Sequence, residues 1–563
     1  MHMARVVLRM VSSLQKIFLT KEPVAEEENG QTFSNGCFSY QIAFRCEAFP
    51  GNRANLKISV ESPLDLFTDT YVIESVPCQS PCGEITDDIY ESTEPGLFPD
   101  AMIPLNKHPG WFYPDCWYSV WVCVNQAKRK MPIGTFPIIV TFYNDSFSEK
   151  KVFSLQILPE EVPERILHYT NWFHVDSICD AYHVTMFSSK HWNLIEQFMR
   201  MAVEHGQDMI LVPAFTPPLD TPVGAERKTA QLIDVEVDAN GKYSFGFDKL
   251  ERYIRIAQRT GFSLFEHSHL FTQWGAKKCP KIVARVNGKR KQIFGWNTWA
   301  GSDEYRQFLE AYFNALFPKL RELGVLDAFL FHVSDEPNPE DILDYKVARE
   351  MLSEILIKHG IPTKRMLDAL SDYAYVEQGL IEEPIVCIPK IKPFLGKIDP
   401  LWMYYTGGET KNGASNRLIS LTSSRTRILG VQLYKFHAKG FLHWGFNFYY
   451  NYTSDTYCNP FCNSDAFRKY SSGTSYIVYP APWGPTPSIR AKIFSDGLDD
   501  VNLMEYLEKL SNRDYVLSLI EKHFGEVTMT TCPPKDDYVT LRAFRTDLEN
   551  EIHRLSGNAE SEK

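Results

Sequence analysis

Two hydrophobic rhythms divide this chain. Up to about residue 157, short or alternating apolar runs ("CFSYQIAFRCEAF", "LKISVES", "WYSVWVCVN", "FPIIVTFYN", "KVFSLQILP") are separated by Gly, Pro, Asn and Asp clusters. Alternation with period two, broken by turn residues, predicts an antiparallel β-sandwich. The stretch "PEEVPER" at 159–165 carries two prolines and alternating charge, and reads as the linker.

From about 166 the rhythm changes to apolar strands alternating with amphipathic helices. "ILHYTNWFHV", "DMILVPAF", "FSLFEHSHLF" and "DAFLFHVS" read as strands, and "HWNLIEQFMRMAVEHG", "FDKLERYIRIAQRTG", "SDEYRQFLEAYFNALFPKLRELG" and "NPEDILDYKVAREMLSEILIKHG" as the helices after them. Ser and Asp at helix starts and Gly at helix ends supply the caps. Shorter strands follow in "RMLDAL", "PIVCIP" and "LWMYY", then a helix through "SSRTRILGVQLYKFHAKG" and a last strand, "FLHWGFNFYY". Near-continuous apolar strands between helices belong to a parallel sheet covered on both faces. Eight of them predict a (β/α)8 TIM-like barrel over 166–480. A doubly wound open sheet is the alternative, but no Gly-rich phosphate turn follows the first strand. Residues 481–563 read as a helical extension packed on the barrel, and 1–157 as an accessory domain.

Composition narrows the function. A net charge of −11 over 563 residues argues against a nucleic-acid partner, and the one basic cluster, "NGKRKQ" at 287–292, reads as a solvated turn. No apolar run is long enough to span a bilayer. The start lacks the apolar core and cleavage site of a secretory signal, so a cytoplasmic location is expected; its first three residues, "MHM", are of the kind that cloning leaves behind. Twelve cysteines are scattered without a framework. The spacings Cys78/Cys82 and Cys458/Cys462 lack a second Cys or His pair, so reduced thiols are expected. Nothing in the sequence sets an oligomeric state.

In a barrel enzyme the active site lies where the strands end. Those ends carry Trp172 and His174, then His267, His269 and Trp274, then His332, Asp335 and Glu336. Further on come Asp368 and Asp372, Trp402, Tyr404 and Tyr405, and His443, Trp444, Asn447 and Tyr449. Carboxylates, aromatic platforms and amide or imidazole groups suit a saccharide, which offers hydroxyls and apolar C–H faces. Each also has a plainer use. A single strand histidine is more often core, Trp and Tyr cap barrels, and "DEP" before a helix suits the helix dipole. His267 and His269 share a strand face, but no closed ligand set accompanies them, so neither metal nor cofactor is expected.

The text "HSHLFTQWGAKKCPKI", "FHVSDEP", "LDALSDYAYVEQG", "GVQLYKFHAKGFLHWGFNFYYN" and "YIVYPAPWGPTPSIRAKIFSDGLDDVNLMEYL" resembles a domain related to glycoside hydrolase family 123, the β-N-acetylgalactosaminidases. The resemblance runs from about 166 to 510. It implies an exo-acting, retaining glycosidase assisted by the substrate's own 2-acetamido group, an exception to the usual two-carboxylate arrangement. Carried onto "SDEP", it makes Asp335 the residue that orients the acetamido nitrogen and Glu336 the general acid and base. A terminal 2-acetamido sugar would be the partner, with a β-N-acetylglucosaminide or mere saccharide binding as alternatives. Position and residue type add Trp172, His174, His269, Trp274, His332, Asp372, Trp444 and Asn447 as candidate substrate contacts. Either Tyr404 or Tyr405 is expected on the acetamide oxygen. Consecutive strand residues point to opposite faces, so both carboxylates serve one sugar only if the strand breaks there, and Pro337 supplies the break.

Overall fold

The computed structural model describes residues 4–25, 29–49, 51–83, 86–219, 221–399 and 401–561; the "MHM" start lies outside them. Two facing sheets form the N-terminal part. One orders the strands Arg5–Ser12, Phe38–Glu47, Trp117–Val124, Thr68–Cys78 and Gly96–Pro104, all antiparallel. The other orders Asn29–Phe33, Ser148–Leu158, Gly134–Tyr143 and Lys57–Glu61, with a single parallel pair at its first edge. Ile42, Phe44, Val120 and Val122 from the first sheet meet Ile138, Val140, Phe142 and Phe153 from the second. The period-two alternation of the sequence is the inner face of this sandwich.

The second part is a curled parallel sheet of seven strands: β1 (His168–Asn171), β2 (Met209–Val212), β3 (Leu264–His267), β4 (Phe329–Phe331), β5 (Ile385–Cys387), β6 (Leu401–Tyr404) and β7 (Ala438–His443). Their order is β4-β3-β2-β1-β7-β6-β5, every pair parallel. The stretch "RMLDAL", expected as a strand of its own, forms no ladder. It follows a 3-10 turn at Thr363–Arg365 and makes only isolated bridges, Phe331↔Met366 on the β4 edge and Ala369↔Ile385 on the β5 edge. The helix expected through 423–440 is also corrected. It breaks into Ser423–Arg427 and Leu429–Lys435, and its last residues begin β7. Of the "NGKRKQ" segment, expected as a turn, only Asn287 and Gly288 turn; the other four residues belong to the second strand of a hairpin, Ile282–Val286 with Lys289–Phe294, which follows β3 and joins Asp234–Val237 and Tyr243–Gly246, from before β3, in a small four-stranded sheet.

The pleat decides what faces the inside of the curl. Met209 and Leu211, Trp402 and Tyr404, and Leu442 cluster inside with Trp172, Leu367 and Ala369. Ile210 and Val212, Met403 and Tyr405, and Phe441 point outward into the layer shared with the helices. Around them run Ser189–Glu204, Asp248–Thr260, Asp303–Glu322 and Ile342–Lys358. The serines before the first and third of these accept a backbone N–H three residues on, as expected of caps. Gly440 has a steric reason. A Cβ there would lie 2.2 Å from the Trp402 ring, which fills the interior beside it. Among the described residues no helix is long and apolar enough to cross a membrane.

A buried ion pair joins the sandwich to the part that carries the curled sheet. Asp100, on the strand Gly96–Pro104, receives Arg490 Nε at 2.9 Å and Nη2 at 2.9 Å, and the Tyr479 hydroxyl at 2.5 Å. Arg490 opens the helix Ile489–Leu510 and also donates to the carbonyls of Gly473 and Tyr476, at 2.6 and 2.8 Å. Every donor of this wholly buried guanidinium that reaches Asp100 would lose its counter-charge if the carboxylate were removed. Asp100→Ala is therefore expected to destabilise the protein by about 3–5 kcal/mol. A thermal unfolding midpoint within a degree of wild type would contradict that.

Candidate active site

At the C-terminal ends of the sheet lies an open cleft of about 350 Å3. Asp335 and Glu336 both line it, and the backbone explains how neighbours manage this. β4 stops at Phe331, and the next peptide is captured when Val333 N–H donates to Asp368 Oδ1 at 2.9 Å. Glu336 then takes a left-handed conformation, φ 43°, which is unusual for a residue with a Cβ. Its N–H donates to the Ala369 carbonyl at 3.0 Å, while the Asp335 carbonyl accepts the Trp274 N–H at 2.7 Å. The loop bearing Trp274 is fixed in turn. Gly275 lies so close to Asp341 that a Cβ would sit 2.5 Å from its carboxyl carbon, and Asp341 closes a capping box with Asn338.

The Tyr404 hydroxyl, inward on β6, donates to Glu336 Oε1 at 2.5 Å. Burial raises the Glu336 pKa above the ordinary carboxylate value; the Tyr404 hydrogen bond pulls the other way, and Glu409 adds repulsion. Glu409 is held nearby by the Thr406 N–H and hydroxyl, at 2.6 and 2.7 Å. Trp172 and Trp444 are buried in the cleft lining, whereas Trp274 is 38% exposed on its wall. A carboxyl biased toward its protonated form, a second carboxyl beside it, and three indoles around an open cleft make a site for acid-assisted cleavage of a sugar derivative.

The profile of the glycoside hydrolase 123 catalytic domain matches residues 172–507. The chain belongs to glycoside hydrolase family 123. It is accordingly a glycosidase. Among solved structures it is similar to a family 123 glycoside hydrolase from Clostridium perfringens, described in connection with glycolipid glycan hydrolysis. The two share 14% identity over 99% of both chains, with a TM-score of 0.73. A β-glucuronidase from Parabacteroides merdae aligns at 9% identity over 87% of this chain and 51% of its own, with a TM-score of only 0.31. No curated protein matches the sequence.

Within the family 123 domain, the residues singled out from sequence separate into three groups. Asp335, Glu336, Trp172, Trp274, Tyr404 and Trp444 line the cleft. His269 and His332 are buried beside Trp172, with ring centroids 5.0 and 6.0 Å from the indole. The others are engaged elsewhere. His174 accepts from Arg227 at 2.9 Å and bonds the Trp444 carbonyl at 2.9 Å; burial and Arg227 push its pKa down to about 3. Asn447 clamps the His174 backbone at 2.9 and 3.0 Å. Asp372 accepts the Ala374 N–H at 2.9 Å, and Tyr405 packs outward on Phe441 and His443.

Sequence reasoning passed over Glu266, Gln273, and the wall segments around Gly407 and Lys469–Ser471. Glu266 had a signal: a lone carboxylate inside the apolar run "LFEH" is a buried charge that must have partners. His269, His332 and Asp368 bring three potential metal-ligand atoms within 4.8 Å of one another.

The Tyr404 hydrogen bond favours the ionised form of Glu336, so removing it must raise that pKa further. In Tyr404→Phe the alkaline limb of the kcat/KM profile, which reports the free enzyme, should move to higher pH. A limb that stays in place or moves down would show that Tyr404 does not act on the titrating group.

Proposed function

We propose that this family 123 enzyme is an exo-acting β-N-acetylgalactosaminidase that retains configuration through an oxazolinium intermediate, on a barrel completed by the bridged segment 366–369. The observation that carries the reading is the placement of Asp335 and Glu336 in one cleft, with the Glu336 pKa raised by burial. Glu336, protonated, gives its proton to the glycosidic oxygen as the C1–O bond breaks. The acetamido carbonyl oxygen bonds to C1 from the opposite face while Asp335 accepts the acetamido N–H and balances the charge that spreads onto nitrogen. Glu336, now a carboxylate, takes a proton from water as that water attacks C1 and reopens the ring. Two inversions give net retention. Adjacency in sequence suits adjacency in the sugar, because the acetamido group and the leaving oxygen sit on neighbouring carbons.

Trp444 and Trp274 are proposed as platforms for the sugar's C–H face. The proposed role of Tyr404 follows its hydroxyl, already on Glu336, from where it can turn to the acetamide oxygen. A glycolipid glycan, the substrate class named for the Clostridium perfringens relative, is the proposed natural source of the terminal sugar.

Release of nitrophenol from nitrophenyl β-N-acetylgalactosaminide, with little from the glucosaminide, is the expected result. The reverse preference would make the enzyme a β-N-acetylglucosaminidase. Glu336→Gln should lower kcat by about 10²–10⁴-fold, the range for a general acid-base. Asp335→Asn should cost about 10²–10³-fold, as for loss of one positioned group facing developing charge. An Asp335→Asn enzyme as fast as wild type on an acetamido sugar would rule out substrate assistance.

A further inference from the structure

Beside the cleft lies a buried group of side chains that the proposed chemistry leaves unused. Glu266, on β3, is fully buried. Its Oε2 accepts Trp172 Nε1–H at 3.1 Å and His332 Nε2–H at 2.8 Å, and its Oε1 accepts the Thr170 hydroxyl. The other nitrogen of His332, Nδ1, faces Asp368 Oδ1 at 3.5 Å. Asp368 is fixed by the Val333 N–H and by the Tyr345 hydroxyl, at 2.9 and 2.6 Å. Burial alone disfavours a charged imidazole here, but Asp368 and Glu266 override it and raise the His332 pKa to about 9. Two carboxylates thus flank the one imidazole, out of water. Of this group, only Trp172 lines the cleft.

We infer that Glu266 is a positioning residue for the glycosidase reaction: through the indole N–H it fixes Trp172 in the cleft and enriches the ring electronically, so that the indole stabilises positive charge developing at the anomeric carbon. Attraction between a cation and an aromatic ring grows with the electron density of the ring and with desolvation. A neutral bound glycoside gains little from it and a cationic transition state gains more, so the contribution falls on kcat rather than KM. His332 keeps Glu266 in place through its Nε2, and Asp368 faces the other ring nitrogen. The inference rests on the cleft reading proposed above. It does not depend on which sugar is cleaved.

The test is a double-mutant cycle in the full-length enzyme, run on whichever nitrophenyl glycoside the wild type hydrolyses, so that a failure here is separate from a failure of the acetamido-sugar reading. Glu266→Gln keeps the shape and removes the charge; kcat should fall by about 5- to 30-fold, the span of a desolvated cation–π contact, with KM unchanged. In a Trp172→Phe background, which lacks the indole N–H, the same substitution should cost less than about threefold. Equal losses in both backgrounds, or a rise in KM at constant kcat, would overturn the inference. If Glu266→Gln does not fold, Glu266→Asp, which withdraws the carboxylate from the indole, runs the same cycle with the same two outcomes. Metal analysis of the purified enzyme is the second arm. A stoichiometric ion on His269, His332 and Asp368 would draw electron density from Glu266 through the His332 ring and overturn the inference; no bound metal is the expected result.

Discussion

A β-strand turns successive side chains to opposite faces, and the candidate site depends on escaping that rule once. Asp335 and Glu336 line one cleft because the chain leaves β4 at Phe331 and bends to the left-handed φ of Glu336. Such a conformation for a residue with a side chain costs about 1–3 kcal/mol and persists only where its surroundings over-determine it. Here they do. The Ala369 carbonyl accepts the Glu336 N–H, the Asp335 carbonyl accepts the Trp274 N–H, and buried Pro337 cannot continue a ladder. The loops after β3 and around 366–369 are thereby tied to the two ends of one peptide unit, that between Asp335 and Glu336.

Burial then acts twice on the same small region. It raises the Glu336 pKa, which an acid in a glycosidase needs near neutrality. The same exclusion of water obliges every deeper polar group to find a partner. Glu266 accepts from Thr170, Trp172 and His332, and Asp368 from Val333 and Tyr345. An apolar interior to the curl would pack as well, but it could not hold Trp172 by its N–H or capture the Val333 peptide that starts the bend. The polar layer is thus the foundation of the cleft, built from residues that are themselves out of contact with solvent.

The parts of the fold legible in sequence are those whose burial leaves a period, alternating in the sandwich and unbroken in the parallel sheet. β2 is apolar at all four positions, and the helices that follow the first strands carry their own caps. "RMLDAL" failed as a strand because its alignment with each neighbour lasts a single bridge, a tertiary fact that no local pattern records. The helix expected through 423–440 failed because its apolar residues serve two short helices and the start of β7, all wholly or largely buried. In the site, the Asp–Glu pair was legible because two carboxylates close an apolar run. The choice between Tyr404 and Tyr405 was not, because it depends on strand phase. That phase is set from across the sheet, where Trp402 lies over Gly440 and carries Tyr404 inward with it. His174 and Asn447 were visible as polar groups near strand ends, but only coordinates could reveal that they hydrogen-bond each other.

The Clostridium perfringens relative shares the fold over nearly the whole chain at 14% identity. Most individual side chains are therefore free to change within this architecture. The cleft combines both kinds of residue. One side is built on strand ends and the bend, with Tyr404 at the end of β6, Trp172 just beyond β1 and Glu336 at the bend itself. The other is built from connecting segments at Thr406–Gly408 and Lys469–Ser471, where backbone geometry is set locally. Ala466, Phe467 and Arg468, leading into the second segment, all take left-handed φ values. Chemistry that must survive sequence drift belongs on the first side. The second side has more room to vary, since a loop can be exchanged without disturbing the bend that brings the two carboxylates together.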